Sequence, residues 1–160
     1  MIRLATAADG ARLAAIYAPA VTDLATSFEL TPPDATEMAR RVTTLLALTP
    51  WLVAEVDKQI AGYAYASRWK DRSAYRYAVE STVYLDPAAL GVGFGSQLYE
   101  TLLADLRGQK LHTVIGGIAL PNEASTRLHE KFGFRKVAHF KEVGYKFGQW
   151  VDVGYWQLTL

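Results

Sequence analysis

Residues 83–96 read VYLDPAALGVGFGS, and this stretch contains the end of a strand, a turn with three alternating glycines and the start of a helix. The first turn of a helix has backbone N–H groups without partners and carries the positive end of the helix dipole. Glycines allow a backbone to approach an anion closely because they have no Cβ. The stretch therefore predicts either a phosphate or pyrophosphate site or, more simply, a tight turn that requires glycine.

Two common nucleotide-binding motifs do not fit these residues. A dinucleotide-binding turn has its third glycine three residues after the second and an acidic residue about 20 residues further on. Here Gly95 follows Gly93 by two residues, and a long stretch of chain precedes the turn. A P-loop is excluded because no Gly-Lys-Ser or Gly-Lys-Thr follows.

Helical and strand patterns alternate on both sides of the glycine turn. Apolar spacing and capping residues predict four helices. The first is capped by Asp9 and disturbed near its end by Pro19, and the second begins at Asp34 and stops at Pro50. The third begins at Phe94, and the fourth is capped by Asn122 and closed by Gly133. Strands are predicted over 2–5, 51–56, 60–66, 78–85 and 112–119, with further aromatic-rich strands in 134–160, and residues 67–77 form a loop. The pattern predicts one α/β (α+β) domain over residues 1–160, with a single mixed sheet and helices on both faces.

Composition removes several classes of function. The chain has 17 basic and 16 acidic residues, a balance that argues against a dedicated nucleic-acid binder. It has no cysteine, which excludes disulfides, thiolate metal sites and a cysteine nucleophile. His112 and His139 lack ligand spacing to a partner, so we predict no metal site. Without a signal peptide or a membrane-spanning run of about 18 apolar residues, a cytoplasmic location without membrane partners is expected.

Two stretches together resemble the GNAT superfamily of N-acetyltransferases. Residues 90–95, LGVGFG, resemble its acetyl-CoA pyrophosphate loop, which usually reads Gln/Arg-x-x-Gly-x-Gly/Ala. Residues 121–134, PNEASTRLHEKFGF, resemble the second signature, which flanks the pantetheine arm of the cofactor. The resemblance implies the GNAT fold and acetyl-CoA as co-substrate. Leu90 departs from the usual Gln or Arg, which implies that binding rests on backbone N–H groups of Gly91, Val92, Gly93, Phe94, Gly95 and Ser96.

Further markers resemble the phosphinothricin/methionine sulfoximine acetyltransferase-like branch, and this resemblance covers nearly the whole chain. They include SFE at 27–29, YRYAVESTVY at 75–84 and VGYKFGQW at 143–150. Members of this branch acetylate the α-amine of small amino acids or their analogues. The resemblance implies direct attack of the acceptor amine on acetyl-CoA in a ternary complex, without a covalent enzyme intermediate.

The same resemblance suggests catalytic and cofactor-binding residues. Glu80 matches the carboxylate that would accept a proton from the amine, although a strand carboxylate can also face solvent or form a structural salt bridge. His129 replaces a tyrosine that protonates the leaving thiolate in many relatives, and it either donates that proton or only packs near the sulfur. The strand backbone of Val83, Tyr84 and Leu85 would bind pantetheine and the reacting oxygen. Asn122 would flank the pantetheine arm, and Lys131 either contacts the cofactor or is a solvated helix residue.

Acceptor-binding residues are expected before the catalytic strand and near both ends of the chain. Arg76, with Arg72 second, would bind a carboxylate through its planar guanidinium, although either arginine can be a solvated loop charge. The remaining candidates are Ser73, Ala74 and Tyr75 in a substrate-lining turn, Phe28 in the pocket wall or in the core, and Lys146 on the acceptor's acidic group or merely on a hairpin.

Three other hypotheses remain open. The acceptor could be a different amine, such as a polyamine, an antibiotic or a protein N-terminus. The chain could instead be an acetyl-CoA-binding regulatory domain without catalysis, or a structural interaction module. The aromatic-rich C-terminal strands could pair with a second copy, and members of the branch that this chain resembles are commonly dimers. The resemblance therefore implies a homodimer whose second subunit completes the acceptor pocket.

Overall fold

One mixed sheet of seven strands runs through the computed structural model, which describes residues 1–160. Its strands are β1 (Ile2–Leu4), β2 (Trp51–Val56), β3 (Gln59–Arg68), β4 (Ala78–Leu85), β5 (Thr113–Ala119), β6 (Arg135–Lys146) and β7 (Gln149–Thr159). They lie in the order β1-β2-β3-β4-β5-β7-β6, and only β4 and β5 pair in parallel. The predicted mixed sheet is therefore confirmed.

Four helices cover the two faces of this sheet: α1 (Gly10–Thr22), α2 (Ala35–Leu46), α3 (Phe94–Gly108) and α4 (Glu123–Lys131). One apolar cluster contains α1 and α2 residues, and the other contains the buried stripe of α3. Neighbouring strand residues join different clusters, as Leu52 and Val53 of β2 do, because successive strand side chains point to opposite faces. Helices α1 and α2 therefore cover one face, and α3 covers the other.

The parallel pair β4 and β5 separates partway along its length. Backbone pairing runs from Ala78 and Thr113 to Glu80 and Ile115, and then it stops although both strands continue. Beyond this point β4 stays paired with β3 as far as Leu85, and β5 stays paired with β7 as far as Ala119. Two strand edges thus face each other across a gap, which we call the fork.

Local contacts explain where the elements differ from their predicted bounds. Strand β3 continues to Arg68, because Ser67 and Arg68 pair with β4. Asp9 directly precedes α1 but does not cap it. Instead the Asp9 carboxylate accepts hydrogen bonds from the Thr6 backbone N–H, at 2.7 Å, and from the Arg3 guanidinium. By contrast, Asn122 caps α4 as predicted and accepts a hydrogen bond from the Ser125 N–H.

Candidate active site

A cavity of about 640 Å³ opens at the fork. Its lining comes from both faces of the sheet. On the α1 side the lining residues include Ile16, Pro19, Ala20, Leu24, Thr26, Ser27 and Phe28. At the fork the cavity is lined by residues 80–85 of β4 and 117–119 of β5. On the α3 and α4 side the lining residues include Tyr99, Asn122, Ser125, Leu128 and His129. The cavity therefore passes through the sheet between β4 and β5.

The glycine turn lies at the α3 end of this cavity and has the geometry of an anion site. Gly91 and Gly93 have φ angles of 79° and 93°, in the left-handed region that favours glycine. A Cβ at either position would meet no atom within 4 Å, so the backbone angle and not crowding requires glycine there. Gly93 precedes α3, and no side chain caps the helix. The N–H groups of its first turn therefore remain available to phosphate oxygens.

The predicted cofactor residue Lys131 lies close to this turn, and so does Leu90, which departs from the family pattern. The Lys131 ammonium donates a hydrogen bond to Ser96 Oγ at 2.8 Å, which brings a positive charge to the first turn of α3. Leu90, at the start of the turn, is exposed and lines the cavity with an apolar side chain. A pyrophosphate here would meet backbone N–H groups and one lysine, and these residues fit acetyl-CoA without a side-chain donor at position 90.

The predicted backbone segment Val83, Tyr84 and Leu85 forms one edge of the fork. Val83 and Leu85 pack on the α3 side, whereas the Tyr84 ring contacts Tyr17 of α1, with 4.9 Å between ring centroids. The side chains of this segment therefore belong to the two cores. Its backbone is the part that borders the gap, where an extended chain could pair with it.

Glu80 lies at the point where the fork begins, on the α1 face with Tyr84. It is half-buried, and burial raises the pKa of its carboxyl, which the positive charge of Lys70 partly offsets. Gly117 on β5 leaves room for the Glu80 carboxylate, because a Cβ there would lie 3.2 Å from Glu80 Oε1. A carboxylate with a raised pKa, facing a cavity, can take a proton near neutral pH.

His129 lies on the opposite face, in a buried chain of polar groups. Its Nδ1 is 2.7 Å from the carbonyl oxygen of Ser125, and its Nε2 is 2.8 Å from the Tyr99 hydroxyl, which in turn lies 3.1 Å from Ser81 Oγ. A carbonyl oxygen only accepts, so the neutral ring carries its proton on Nδ1 and accepts from Tyr99 at Nε2. Burial lowers the pKa of His129 and favours this neutral form. A neutral His129 held in this way has no proton directed at the cavity.

Phe28, the predicted acceptor-pocket residue near the N-terminus, lines the cavity on the α1 face. Its segment is held by Tyr17, whose hydroxyl hydrogen-bonds Ser27 Oγ at 2.6 Å and also donates to Glu29. Arg41 of α2 forms a two-bond ion pair with the same Glu29. The lining segment is therefore fixed by contacts with α1 and α2.

The structure gives Lys146 a different environment from the predicted acceptor contact. Its side chain is buried, and its ammonium donates to three backbone carbonyls, those of Ala20, Leu24 and Ser27, at 3.3, 2.8 and 2.6 Å. These bonds occupy all three donors of a lysine. Burial also lowers the pKa of Lys146. Lys146 therefore lies behind the cavity wall, where it has no free donor for an acceptor carboxylate.

The predicted acceptor loop lies outside the cavity lining. Arg72, Ser73, Ala74, Tyr75 and Arg76 are all exposed, with Ser73–Tyr75 in a short 3₁₀ helix. The Arg76 guanidinium donates to the Ser73 carbonyl at 3.1 Å and stacks on the Tyr77 ring. Within one chain, this loop is not brought together with Phe28 and Glu80.

Among the lining residues that sequence reasoning missed, Ser81 and Tyr99 carry the hydroxyl groups of the polar chain that ends at His129. Ser81 could have been recognised in the sequence, because it places a hydroxyl between Val79 and Val83 on a face of β4 that is otherwise apolar. Tyr99 could not have been recognised, because it lies beside Leu98 and Leu102 in the buried stripe of α3 and its sequence position is that of an ordinary core residue. No group of three or more His, Asp or Glu side chains is arranged to hold a metal ion, and no helix is long and apolar enough to cross a membrane.

Known proteins resemble this chain over nearly its whole length. A family model described as the acetyltransferase (GNAT) domain matches residues 2–154. The chain is 42% identical to a phosphinothricin N-acetyltransferase of Streptomyces viridochromogenes over 98% of this chain and 85% of that protein. It is 36% identical to an L-methionine sulfoximine/L-methionine sulfone acetyltransferase of Salmonella typhimurium over 99% and 94% of the two chains. A phosphinothricin acetyltransferase of Sinorhizobium meliloti, solved with acetyl-CoA, is 34% identical and superimposes with a TM-score of 0.96 over 100% of this chain and 88% of that one.

Proposed function

This chain belongs to the GNAT acetyltransferases and is an acetyl-CoA-dependent N-acetyltransferase, and on that premise we propose that its acceptor is the α-amine of a small amino acid analogue of the phosphinothricin or methionine sulfoximine type. The observation that carries the proposal is the cavity through the sheet, which is lined by Glu80 on the α1 face and by Leu90 at the start of the glycine turn. The names of the relatives support the same acceptor class.

Acetyl-CoA supplies the activated acetyl group, and this chain's residues hold it. We propose that the backbone N–H groups of residues 91–96 and the Lys131 ammonium bind the pyrophosphate, while the β4 edge from Val83 to Leu85 pairs with the pantetheine arm. Asn122 would border the same arm from the start of α4. The observations behind this assignment are the left-handed glycines, the uncapped α3 and the free strand edge.

Glu80 is proposed as the general base. An α-amine is largely protonated at neutral pH, and only its neutral form attacks a thioester. Glu80 lies on the α1 face, together with the proposed acceptor wall, and its raised pKa suits a group that must take up a proton. The proton then leaves from the acceptor side of the sheet, either directly to the carboxylate or through one water.

His129 is proposed as a positioning residue on the opposite face, rather than as the acid that the family resemblance suggested. Its neutral ring accepts a hydrogen bond from Tyr99 and so fixes the Tyr99 hydroxyl beside Ser81. This alternative follows from the carbonyl on Nδ1, which leaves Nε2 as an acceptor.

The active enzyme is proposed to be a homodimer in which the loop of residues 72–76 from one subunit completes the acceptor site of the other. Two observations support this: the loop is exposed and outside the cavity of its own chain, and aromatic side chains of the β6–β7 hairpin are exposed as well, among them Tyr145, Phe147 and Trp150. An arginine from this loop would bind the acceptor carboxylate. We also propose a cytoplasmic location, where acetyl-CoA is available.

The test is an assay of CoA release with methionine sulfoximine, methionine sulfone, phosphinothricin, common amino acids, a polyamine and an aminoglycoside. We expect turnover with the amino acid analogues and a loss of about 10²- to 10⁴-fold in Glu80→Gln. Turnover with the polyamine or aminoglycoside alone would contradict the proposed acceptor. Full turnover in Glu80→Gln would contradict the proposed base, and light scattering that shows a monomer would contradict the dimer.

A further inference from the structure

Two residues of β6, Gly144 and Lys146, contact the acceptor side of the cavity from behind its wall. Both are buried, whereas their neighbours Val143, Tyr145 and Phe147 are exposed, as expected for a strand with one covered face. The covered face of this end of β6 lies against residues 20–28, which join the end of α1 to the cavity wall.

The Phe28 ring packs directly against Gly144. A Cβ added to Gly144 would come within 2.5 Å of Cε2 of Phe28, and closer still to Cζ. The φ angle of Gly144 is not in the left-handed region, so backbone conformation does not explain the glycine. The absence of a side chain at position 144 therefore allows the ring to lie directly on the β6 backbone.

Lys146 holds the rest of the same segment. Its ammonium bridges the carbonyls of Ala20, Leu24 and Ser27, so one buried cation ties the last turns of α1 to the residue before Phe28. No carboxylate forms an ion pair with Lys146. Because a buried charge needs all of its hydrogen bonds, this lysine fixes the path of the segment more strictly than an apolar residue would.

Phe28 is thus held by β6 from behind while its segment is fixed by α1 and α2. Tyr17 and Arg41 hold Ser27 and Glu29, the residues on either side of Phe28. On the α1 side the cavity is also lined by Ile16, Pro19, Ala20, Leu24 and Thr26, which are apolar apart from the Thr26 hydroxyl. Such a wall fits the apolar part of an amino acid side chain.

We propose that Gly144 and Lys146 are positioning residues that set the place of Phe28 and thereby the width of the pocket for the acceptor side chain. The inference rests on the proposed function and deepens it, since it assigns specificity to two residues outside the cavity. It also replaces the predicted contact between Lys146 and the acceptor with an indirect role.

The first test is Gly144→Ala, compared with wild type on acceptors whose side chains differ in length. The added methyl group must displace the Phe28 ring from its position in the pocket wall. We therefore expect the acceptor KM to rise about tenfold or more, with the larger rise for the longer side chain. The KM for acetyl-CoA should stay unchanged, because the glycine turn lies on the other face. Gly108→Ala is the matched control, since a Cβ there meets no atom within 4 Å.

A double-mutant cycle separates positioning from general damage. If Gly144 acts through Phe28, the Phe28→Ala variant loses the ring that the methyl group would displace, and adding Gly144→Ala to it changes the acceptor KM no further. The proposal would be overturned if Gly144→Ala raised the acceptor KM by the same factor in the Phe28→Ala variant as in wild type. Wild-type failure to acetylate any acceptor would instead refute the proposed function, so the two failures are distinguishable.

Lys146→Met and Lys146→Arg complete the test, with melting temperature measured for each. We expect Lys146→Met to raise the acceptor KM with little change in the KM for acetyl-CoA, and Lys146→Arg to restore part of the loss because it keeps a buried donor. Lys141→Met, on the exposed part of β6, is the control. An unchanged acceptor KM in a folded Lys146→Met variant would remove Lys146 from the proposal.

Discussion

At the scale of single residues, burial acts on Glu80 and His129 in opposite directions on opposite faces of the sheet. It raises the pKa of the carboxyl and lowers the pKa of the imidazole, so in both cases the uncharged form is favoured. For Glu80 this brings proton uptake closer to neutral pH. For His129 it keeps the ring neutral and fixed between Ser125 and Tyr99.

The pH dependence of kcat/KM tests the role of Glu80. The acceptor binds in its ammonium form and gives a proton to Glu80, so log kcat/KM should rise with a slope of one only below the pKa of Glu80, which lies above the ordinary value of 4.5. In Glu80→Gln only acceptor that is already neutral in solution can react, so we expect the slope of one to continue up to the pKa of the α-amine, about 8 or higher. A profile in Glu80→Gln that levels off at the same pH as in wild type would assign the proton uptake to another group.

A pair of substitutions tests the role of His129. Glutamine places an acceptor near the position of Nε2 but cannot act as an acid, so we expect kcat of His129→Gln to stay within about tenfold of wild type, whereas loss of a general acid costs about 10²- to 10⁴-fold. His129→Leu leaves the buried Tyr99 hydroxyl without its acceptor and should lower the free energy of unfolding by about 1–3 kcal/mol. A kcat loss of that larger size in His129→Gln would restore the acid role.

The lowered pKa of His129 also makes stability depend on pH. The unfolded chain takes up a proton on this residue as pH falls through about 6.5, its ordinary pKa, whereas the folded chain binds that proton only at lower pH. The contribution of His129 to the free energy of unfolding is therefore fully present above about pH 6.5 and decreases as the pH falls below that value. Denaturant unfolding at several pH values should show a smaller decrease in His129→Gln than in wild type.

At the scale of elements, the glycine turn provides a test of cofactor binding. Gly93→Ala adds a Cβ that meets nothing, but at a φ of 93° it costs about 1–2 kcal/mol in the folded chain. Relief of that strain moves the N–H groups that precede α3, so we expect the KM for acetyl-CoA to rise about tenfold, since 1.4 kcal/mol corresponds to a factor of ten. Gly148→Ala is the control, because it has a similar φ of 70° on the β6–β7 hairpin. Equal acetyl-CoA KM values in both variants would argue against a binding role for the turn.

The elements could be predicted from sequence to the extent that local chemistry defines them. Asn122 and Gly133 bound α4 through a cap and a left-handed residue, and both signals lie within the helix ends themselves. The fork could not be predicted in this way. It exists because β3 holds one strand and β7 holds the other, and β7 lies far along the chain from β5. Pairings between distant segments leave no mark on the periodicity of either strand.

The surroundings of the Lys146 side chain could not be predicted from local sequence either. Alternation along β6 separates covered from exposed positions, but it does not reveal what covers the strand. Here the covering residues are carbonyls of positions 20–27, from the opposite end of the chain. Glu80 was singled out by the family resemblance, and only its place in a strand just before the glycine turn can be read from the neighbouring sequence.

At the scale of the whole molecule, a mixture of two inactive variants tests the proposed dimer. In Glu80→Gln each site lacks the proposed base, and in Arg76→Ala each site lacks an arginine that the other subunit would supply. A mixed dimer then has one site with both residues intact, so random exchange should restore about a quarter of wild-type activity. If Arg76 acts within its own chain, every site of the mixed dimer lacks one residue and activity stays at the level of the separate variants.

The bonds of Lys146 also have a consequence for folding. The ammonium and the Ala20 carbonyl are 126 positions apart in sequence, so the contact that holds the proposed acceptor wall closes most of the chain into a loop. Contacts of such high sequence separation form late, because loop-closure entropy opposes them until other structure has brought the ends together. During synthesis the glycine turn and α3 are complete before β6 has emerged. We therefore expect a refolding chain to regain acetyl-CoA binding before it regains affinity for its acceptor.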